Sequence, residues 1–158
     1  MSTVLSHTEL RAGAPSDLPA VSEVMADAFD TRFGEAWTSA QCLGILAMPG
    51  VWLTLAYRES GLVGFALARA MVDEAELLLL AVRPGWRGGG VGATLLRSVI
   101  DEARDRRAAT LHLEVRADNS AVRLYRAHGF EKVGERPRYY RGRNGLHYDA
   151  HSFSRTLG

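Results

Sequence analysis

A single cysteine, short apolar runs and a near-zero net charge set this sequence apart, and each excludes a class of protein. Cys42 has no second cysteine with which to form an internal disulfide or a cysteine-based zinc site. It falls within an apolar helical pattern, so we expect it to pack in the core and not to act as a nucleophile. No apolar run approaches the roughly 20 residues of a membrane span, and the N-terminus MSTVLSHTEL lacks the segments of a signal peptide. We therefore expect a cytoplasmic protein.

The charge balance argues against a nucleic-acid or membrane partner. Nineteen Lys and Arg residues face eighteen Asp and Glu residues, so the formal net charge is +1 and no overall field attracts a polyanion. Arg136, Arg138, Arg141 and Arg143 make PRYYRGR locally basic, and we interpret this segment as an exposed hairpin. No repeat or compositional break divides the chain, which predicts a single domain over residues 1–158.

Hydrophobic periodicity predicts an α/β fold with elements in the order β, α, α, β, β, β, α, β, α, β, β. Thr38 and Gln41 have the spacing of a capping box ahead of the second helix. The stretches VWLTLAY, LVGFALARAMV and ELLLLAV predict three antiparallel strands, and the third is apolar throughout, as is typical of a central strand. Further on, TLHLEV alternates as a strand with Glu114 and His112 on its polar face.

The densest signal is AVRPGWRGGGVGATLL, where glycines stand between a buried strand and an amphipathic helix. Glycines let backbone N–H groups converge on an anion, and the helix N-terminus adds a positive dipole end, so the stretch predicts a pyrophosphate site. No Lys-Ser or Lys-Thr follows, which excludes a Walker loop. A flexible surface turn is a weaker alternative, because Arg83 and Arg87 flank the glycines.

A dinucleotide-binding fold is the second alternative for this loop. Gly88, Gly90 and Ala93 satisfy G-x-G-x-x-A, and Glu114 follows at about the twenty-residue spacing that this motif requires. The motif alone does not reject that fold. However, RPGWR separates the glycines from their strand, and too little chain follows Glu114 to build the second half of the fold.

The same loop also fits R-x-x-G-x-G through Arg87, Gly90 and Gly92, and with this motif the chain resembles the GNAT superfamily of N-acetyltransferases. The segments ELLLLAV, LEVRADN, LYRAHGF, the Tyr139-Tyr140 pair and Asp149-Ala150 follow in the order seen in RimI-type ribosomal-protein-alanine acetyltransferases. The resemblance covers roughly residues 63–157. It implies a mixed, mostly antiparallel sheet flanked by about four helices, with acetyl coenzyme A bound beside the glycine loop.

The resemblance also implies a role for particular residues. Glu114 matches the general base and Tyr125 the general acid, whereas the residues alone equally fit an exposed ion-paired carboxylate and a packed tyrosine. His112 is a second titratable group beside the base. Residues implied to hold acetyl coenzyme A are Leu80, Ala81, Val82, Arg87, Gly88, Gly89, Gly90, Val91, Gly92 and Asn119, the last of which also fits a helix cap. No metal is implied.

On the acceptor side, the resemblance assigns Tyr139, Tyr140 and Trp37 to substrate contact. Ala36-Trp37-Thr38 stands where the family usually has Pro-Trp-Ser, so we expect this segment to differ in shape. The implied reaction is direct acetyl transfer in a ternary complex to a protein N-terminus, most typically an N-terminal alanine of a ribosomal protein. Two alternatives remain open: acetylation of a small-molecule amine, and a noncatalytic coenzyme A-binding module.

Overall fold

A seven-stranded sheet organises the part of the chain that the computed structural model describes, residues 7–158. The first six residues, which belong to the predicted domain and to the MSTVLSHTEL segment, lie outside the described residues. The strands are β1 (Glu9–Ala12), β2 (Val51–Arg58), β3 (Gly61–Met71), β4 (Glu74–Val82), β5 (Thr110–Arg116), β6 (Glu131–Arg141) and β7 (His147–Thr156). The helices are α1 (Leu18–Ala28), α2 (Ser39–Leu46), α3 (Val91–Asp105) and α4 (Val122–Ala127).

The predicted order of elements is confirmed, and so is the predicted capping box. The Thr38 hydroxyl accepts a hydrogen bond from the Gln41 backbone N–H at 3.1 Å, and the Gln41 side chain accepts one from the Thr38 N–H at 2.7 Å. These bonds satisfy N–H groups that a helix leaves free at its first turn. Cys42 then packs in the core, as predicted. None of the helices between residues 7 and 158 is long and apolar enough to cross a membrane.

The strand order is β1-β2-β3-β4-β5-β7-β6, which places β4, the strand that contains the apolar run LLLLAV, in the middle, as predicted. Within the described residues, β4 and β5 are the one parallel pair, and every other neighbouring pair is antiparallel. The parallel pair is possible because α3 supplies the crossover connection between the two strands. The predicted mixed, mostly antiparallel sheet with four helices is therefore confirmed.

Helices cover the two faces of the sheet unequally. On one face, α3 packs across β2, β3 and β4 over a core that contains Leu95, Leu96 and Val99. On the other face, α1 packs on β3 and β4, and α2 packs on β2. Neither α1 nor α2 is among the elements that pack closely on β5, β6 or β7. One half of this second face therefore has no helix over it within the described chain.

A β-bulge in β4 changes which side chains face which core. Leu67 pairs with Leu79 and Ala68 pairs with Leu77, so Leu78 has no partner on β3. An extra residue reverses the alternation of side chains and bends the strand. Accordingly, Leu77 lies in the core beneath α3, whereas Leu79 lies in the core beneath α1.

Candidate active site

The candidate site lies where β4 and β5 diverge. Their parallel pairing runs only from Glu74 to Leu77 on β4, opposite Thr110 to Leu113 on β5, although both strands continue beyond it. Past the bulge, the β4 edge that faces β5 is therefore free of ladder partners, while its other edge still pairs with β3. Unpaired strand N–H and C=O groups need partners. An extended ligand with amide groups would supply them.

A cavity of about 500 Å³ occupies this divergence. It brings together the predicted residues Leu80, Ala81, Val82, Arg87, Gly88, Gly90, Gly92 and Asn119, from β4, the glycine loop and the start of α4. Gly89 and Val91 do not line it, and the Val91 side chain is buried in the α3 core. The cavity is of the size that small-molecule and cofactor sites typically have.

The glycine loop owes its shape to backbone conformation. Gly88 has φ +79° and Gly90 has φ +85°, both in the left-handed region that residues with a Cβ adopt at a cost. Gly90 is also the N-cap of α3 and leaves the first N–H groups of that helix at the mouth of the cavity. This is the arrangement that binds phosphate groups. The loop therefore fits the pyrophosphate of a coenzyme.

Arg87 braces this loop from the side. Its guanidinium donates hydrogen bonds to the carbonyl oxygens of Ala28, at 2.6 Å, and Val82, at 3.3 Å. The side chain thus ties the loop to the C-terminal end of α1 and to the end of β4. Arg83 makes a similar tie, donating to the Asp27 carboxylate at 3.2 Å. These arginines hold the glycines in place as well as placing positive charge near the cavity.

A second cavity, of about 180 Å³, adjoins the first. It brings together the predicted residues Glu114, Tyr125, Tyr139, Tyr140 and Trp37. The two cavities share lining residues from four different parts of the chain: Phe29, Glu35, Leu80, Asn119 and Ala121. A ligand in the first cavity can therefore reach side chains in the second.

Glu114 is held in one orientation by two partners. Its Oε1 pairs with Arg136 Nε at 2.9 Å, and its Oε2 accepts a hydrogen bond from the Ser152 hydroxyl at 2.7 Å. Only 17% of the side chain is exposed. His112, another polar residue on this face of β5, pairs with Glu74 at 3.3 Å and does not line the second cavity.

Tyr125 reaches the same cavity from α4. The ring is buried and stacks edge-on against Phe130, with ring centroids 5.9 Å apart. Burial raises the pKa of its phenol well above the ordinary value, and the nearby Glu35 carboxylate raises it further. The phenol therefore stays protonated at neutral pH and is able to donate a proton.

An irregularity in β6 explains how the adjacent Tyr139 and Tyr140 line one cavity. Neighbouring side chains of a regular strand point to opposite faces. Here the register between β6 and β7 shifts between Arg136 and Tyr140, and Arg138 takes a left-handed φ of +56°. The Arg138 N–H is satisfied instead by the Asp149 carboxylate at 2.9 Å. The two rings end in an edge-on contact, 4.9 Å between centroids.

Glu35 is a site residue that the sequence analysis did not identify. Its carboxylate pairs with Arg116 at 3.2 Å and accepts a hydrogen bond from the Asn119 side-chain amide at 2.9 Å. The Glu35 and Arg116 side chains are only 10% and 11% exposed. Asn119 caps the turn before α4 as well, since its oxygen accepts from the Ala121 N–H at 2.8 Å. Glu35 thus fastens the α1–α2 loop over both cavities.

Glu76 is the second residue that was missed. It lies on β4 and lines the second cavity with Glu114. Burial raises the pKa of the Glu76 carboxyl, and the neighbouring Glu114 carboxylate adds to the effect. In the sequence it stands in the apolar stretch EAELLLLAV, where it is indistinguishable from a surface strand residue. No group of three or more His, Cys, Asp or Glu residues within residues 7–158 is arranged to hold a metal ion.

Comparison with known proteins agrees with this geometry. The model of the acetyltransferase (GNAT) family matches residues 18–130. The chain belongs to the GNAT acetyltransferase family. Among GNAT proteins, it is 39% identical over 112 residues to N-alpha-acetyltransferase RimI of Mycobacterium tuberculosis, a match that covers 68% of this chain and 69% of that protein. The predicted family and the predicted acyltransferase class are confirmed.

Two further matches, one by sequence and one by structure, carry a more specific name. The ribosomal protein bS18-alanine N-acetyltransferase of Escherichia coli K12 is 42% identical over 80 residues, which is 50% of this chain and 54% of that protein. The chain thus spans only about half the length of that relative. In three dimensions, the crystal structure of the ribosomal-protein-S18-alanine N-acetyltransferase from Escherichia coli superimposes with a TM-score of 0.83 at 28% identity, over 96% of this chain and 95% of that one.

Proposed function

We propose that this GNAT protein transfers an acetyl group from acetyl coenzyme A to the N-terminal α-amine of a protein, with an N-terminal alanine of a small-subunit ribosomal protein as the acceptor. The observation that carries the proposal is the pair of adjoining cavities, one lined by the glycine loop and the free edge of β4, the other by Glu114 and Tyr125. The names of the RimI relatives support the choice of an alanine acceptor.

The coenzyme would be held mainly by backbone. The N–H groups of the loop from Arg87 to Gly92 face the first cavity and suit a pyrophosphate, and the free edge of β4 from Leu80 to Val82 suits the amides of a pantetheine arm. When bound, acetyl coenzyme A supplies the acetyl group as a thioester. No metal takes part in the proposed reaction.

Glu114 acts as the general base in this proposal. An α-amine has an ordinary pKa near 8, so at neutral pH it is mostly ammonium and must lose a proton before it can attack. The Glu114 carboxylate is fixed by Arg136 and Ser152 and faces the second cavity, where it accepts that proton directly or through a water. The amine nitrogen then forms its bond to the acetyl carbon.

Tyr125 acts as the general acid. As the new C–N bond forms, the C–S bond breaks, the leaving sulfur takes a proton from the Tyr125 phenol, and the second proton lost by the nitrogen returns to the phenolate. The Tyr125 phenol is protonated at neutral pH, since even the ordinary pKa of a phenol is about 10 and burial raises it further, and it faces the same small cavity as Glu114. Because the base and the acid line the same cavity, the acetyl group can pass directly from the coenzyme to the amine in a ternary complex. The buried Cys42 thiol, whose pKa burial raises, is not needed as an acyl carrier.

The proposal is tested by supplying acetyl coenzyme A with peptides that begin with Ala, Ser or Met, with an acetyl-blocked peptide, and with spermidine. Each peptide carries an internal lysine, and mass spectrometry locates the added acetyl group. We expect acetylation of the α-amine of the alanine peptide and none of the blocked peptide. Turnover of spermidine alone would move the protein to the small-amine class, and coenzyme binding without any turnover would indicate a noncatalytic module.

A further inference from the structure

A groove of about 400 Å³ lies on the half of the sheet that α1 and α2 leave uncovered. Side chains from β3, β4, β5, β6 and β7 line it. It adjoins the second cavity, because Glu76, Leu113 and Glu114 line both. If the amine of an acceptor lies at Glu114, the rest of the acceptor chain therefore lies next to this groove.

The floor of the groove contains two charged side chains without a side-chain hydrogen bond or salt bridge. Arg69 and Glu76 are register partners on β3 and β4, and the Glu76 side chain is exposed to the groove, but within residues 7–158 neither side chain pairs with another. The Arg69 Nε atom is buried without a hydrogen-bond partner. Leaving such a group unsatisfied is costly. A polypeptide backbone carries both a C=O acceptor for Arg69 and an N–H donor for Glu76.

The rim of the groove is apolar and exposed. Met71 and Val133 line it and are 55% and 62% exposed, and Val72, next to Met71 in the turn between β3 and β4, is 96% exposed. Exposed apolar residues next to a polar groove are typical of a binding surface.

We infer that this groove holds the first residues of the acceptor polypeptide beyond its reacting amine, in extended form, with Arg69 and Glu76 on its backbone and with Met71 and Val133 against its apolar side chains. The inference rests on the proposed function. From Glu114 on β5 to the β3 end of the groove there are two strand spacings, roughly 10 Å, which an extended chain spans with about three residues beyond the alanine. A small-molecule amine would leave it empty.

The first test needs no substitution and uses the full chain with acetyl coenzyme A. Alaninamide and alanine peptides of two, four, six and ten residues, all from one sequence with apolar residues after the alanine, are compared by kcat/KM. We expect kcat/KM to rise about 10-fold or more up to about four residues and then to level off. Equal kcat/KM values at all lengths would contradict the inferred role of the groove and leave α-amine acetylation intact. No acetylation at any length would contradict the proposed function, and with it the role of the groove.

A second test changes the rim. In the double variant Met71→Ser/Val133→Ser, the ratio of kcat/KM for the hexapeptide to that for alaninamide should fall about fivefold, because apolar contact area is lost. Leu43→Ser is the matched control, since Leu43 is 52% exposed on α2 and lines none of the three cavities. An unchanged ratio in the rim variant, or an equal fall in the control, would contradict the inference.

Discussion

The two cavities of this GNAT protein are built from different materials. The proposed coenzyme cavity offers a ligand several backbone groups: a glycine loop, a helix N-terminus and a strand edge without ladder partners. The proposed acceptor cavity is lined by the side chains of Glu114, Tyr125, Tyr139, Tyr140 and Trp37, which come from well-separated parts of the sequence. Under the proposed function, this difference implies a division of labour, in which backbone groups bind the coenzyme and side chains carry out the proton transfers.

Glu114→Gln should give the largest effect. It should lower turnover of the acceptor without weakening the binding of acetyl coenzyme A. The amide keeps a similar shape and partners but is not a base, so we expect kcat to drop about 10²- to 10⁴-fold. The dissociation constant for acetyl coenzyme A should stay within about twofold of that of the unaltered protein. Glu131→Gln provides the control, because Glu131 is exposed on β6 and lines none of the three cavities; a comparable loss in that variant would show that the effect does not depend on the position of Glu114.

Tyr125→Phe should lower kcat by about 10²-fold, somewhat less than loss of the base. The phenylalanine ring keeps the edge-on contact with Phe130, so the thermal midpoint should hardly change. Steady-state kinetics with a saturating alanine peptide, together with a melting curve, measure both quantities. Full activity in this variant would mean that the leaving sulfur obtains its proton from another source.

Glu35→Ala should impair both coenzyme binding and acceptor turnover, because Glu35 joins Arg116 and Asn119 at the boundary between the two cavities. Removing one member of a buried ion pair typically costs about 3–5 kcal/mol. We expect a melting temperature about 6–20 °C lower, and a roughly tenfold loss in both coenzyme affinity and peptide kcat/KM. Asp118→Asn removes the exposed partner of Arg116 and should change little. A loss of coenzyme affinity alone, or of peptide kcat/KM alone, would show that Glu35 does not couple the two cavities.

Gly90→Ala should affect only the coenzyme side. Because Gly90 has φ +85°, a Cβ costs about 1–2 kcal/mol in this conformation and distorts the loop. We expect coenzyme affinity to fall about tenfold, with kcat at saturation nearly unchanged. Gly85→Ala is the matched control in the same segment, since Gly85 has no positive φ and open space around it. Equal effects of the two substitutions would argue against a conformational role.

The smallest effect concerns pH. The pKa of Tyr125 lies above its ordinary value of about 10, so the protonated phenol persists as pH rises through 10 and is lost only beyond it. We therefore expect no fall in kcat between pH 8 and pH 10 at saturating substrates. A downward limb centred below pH 10 that disappears in Tyr125→Phe would mean that the phenol titrates earlier than its burial implies.

The two cavities also differ in how far sequence could predict them. The glycine loop and the Thr38–Gln41 capping box depend on residues that are close along the chain, and both were predictable. Glu35 and Glu76 become site residues only through the packing of distant elements, so no local pattern identified them. The bulge at Leu78 and the left-handed Arg138 set which side chains meet, and neither carries a turn residue such as glycine that would mark it.

The division of labour between backbone and side chains is tested most directly by calorimetric titration of acetyl coenzyme A into the double variant Glu114→Gln/Tyr125→Phe. Coenzyme binding that depends on the glycine loop and the β4 edge predicts an affinity equal to that of the unaltered protein, while transfer to an alanine peptide is lost. A tenfold or greater loss of affinity in the double variant would contradict the account, because it would show that the acceptor-side side chains also hold the coenzyme.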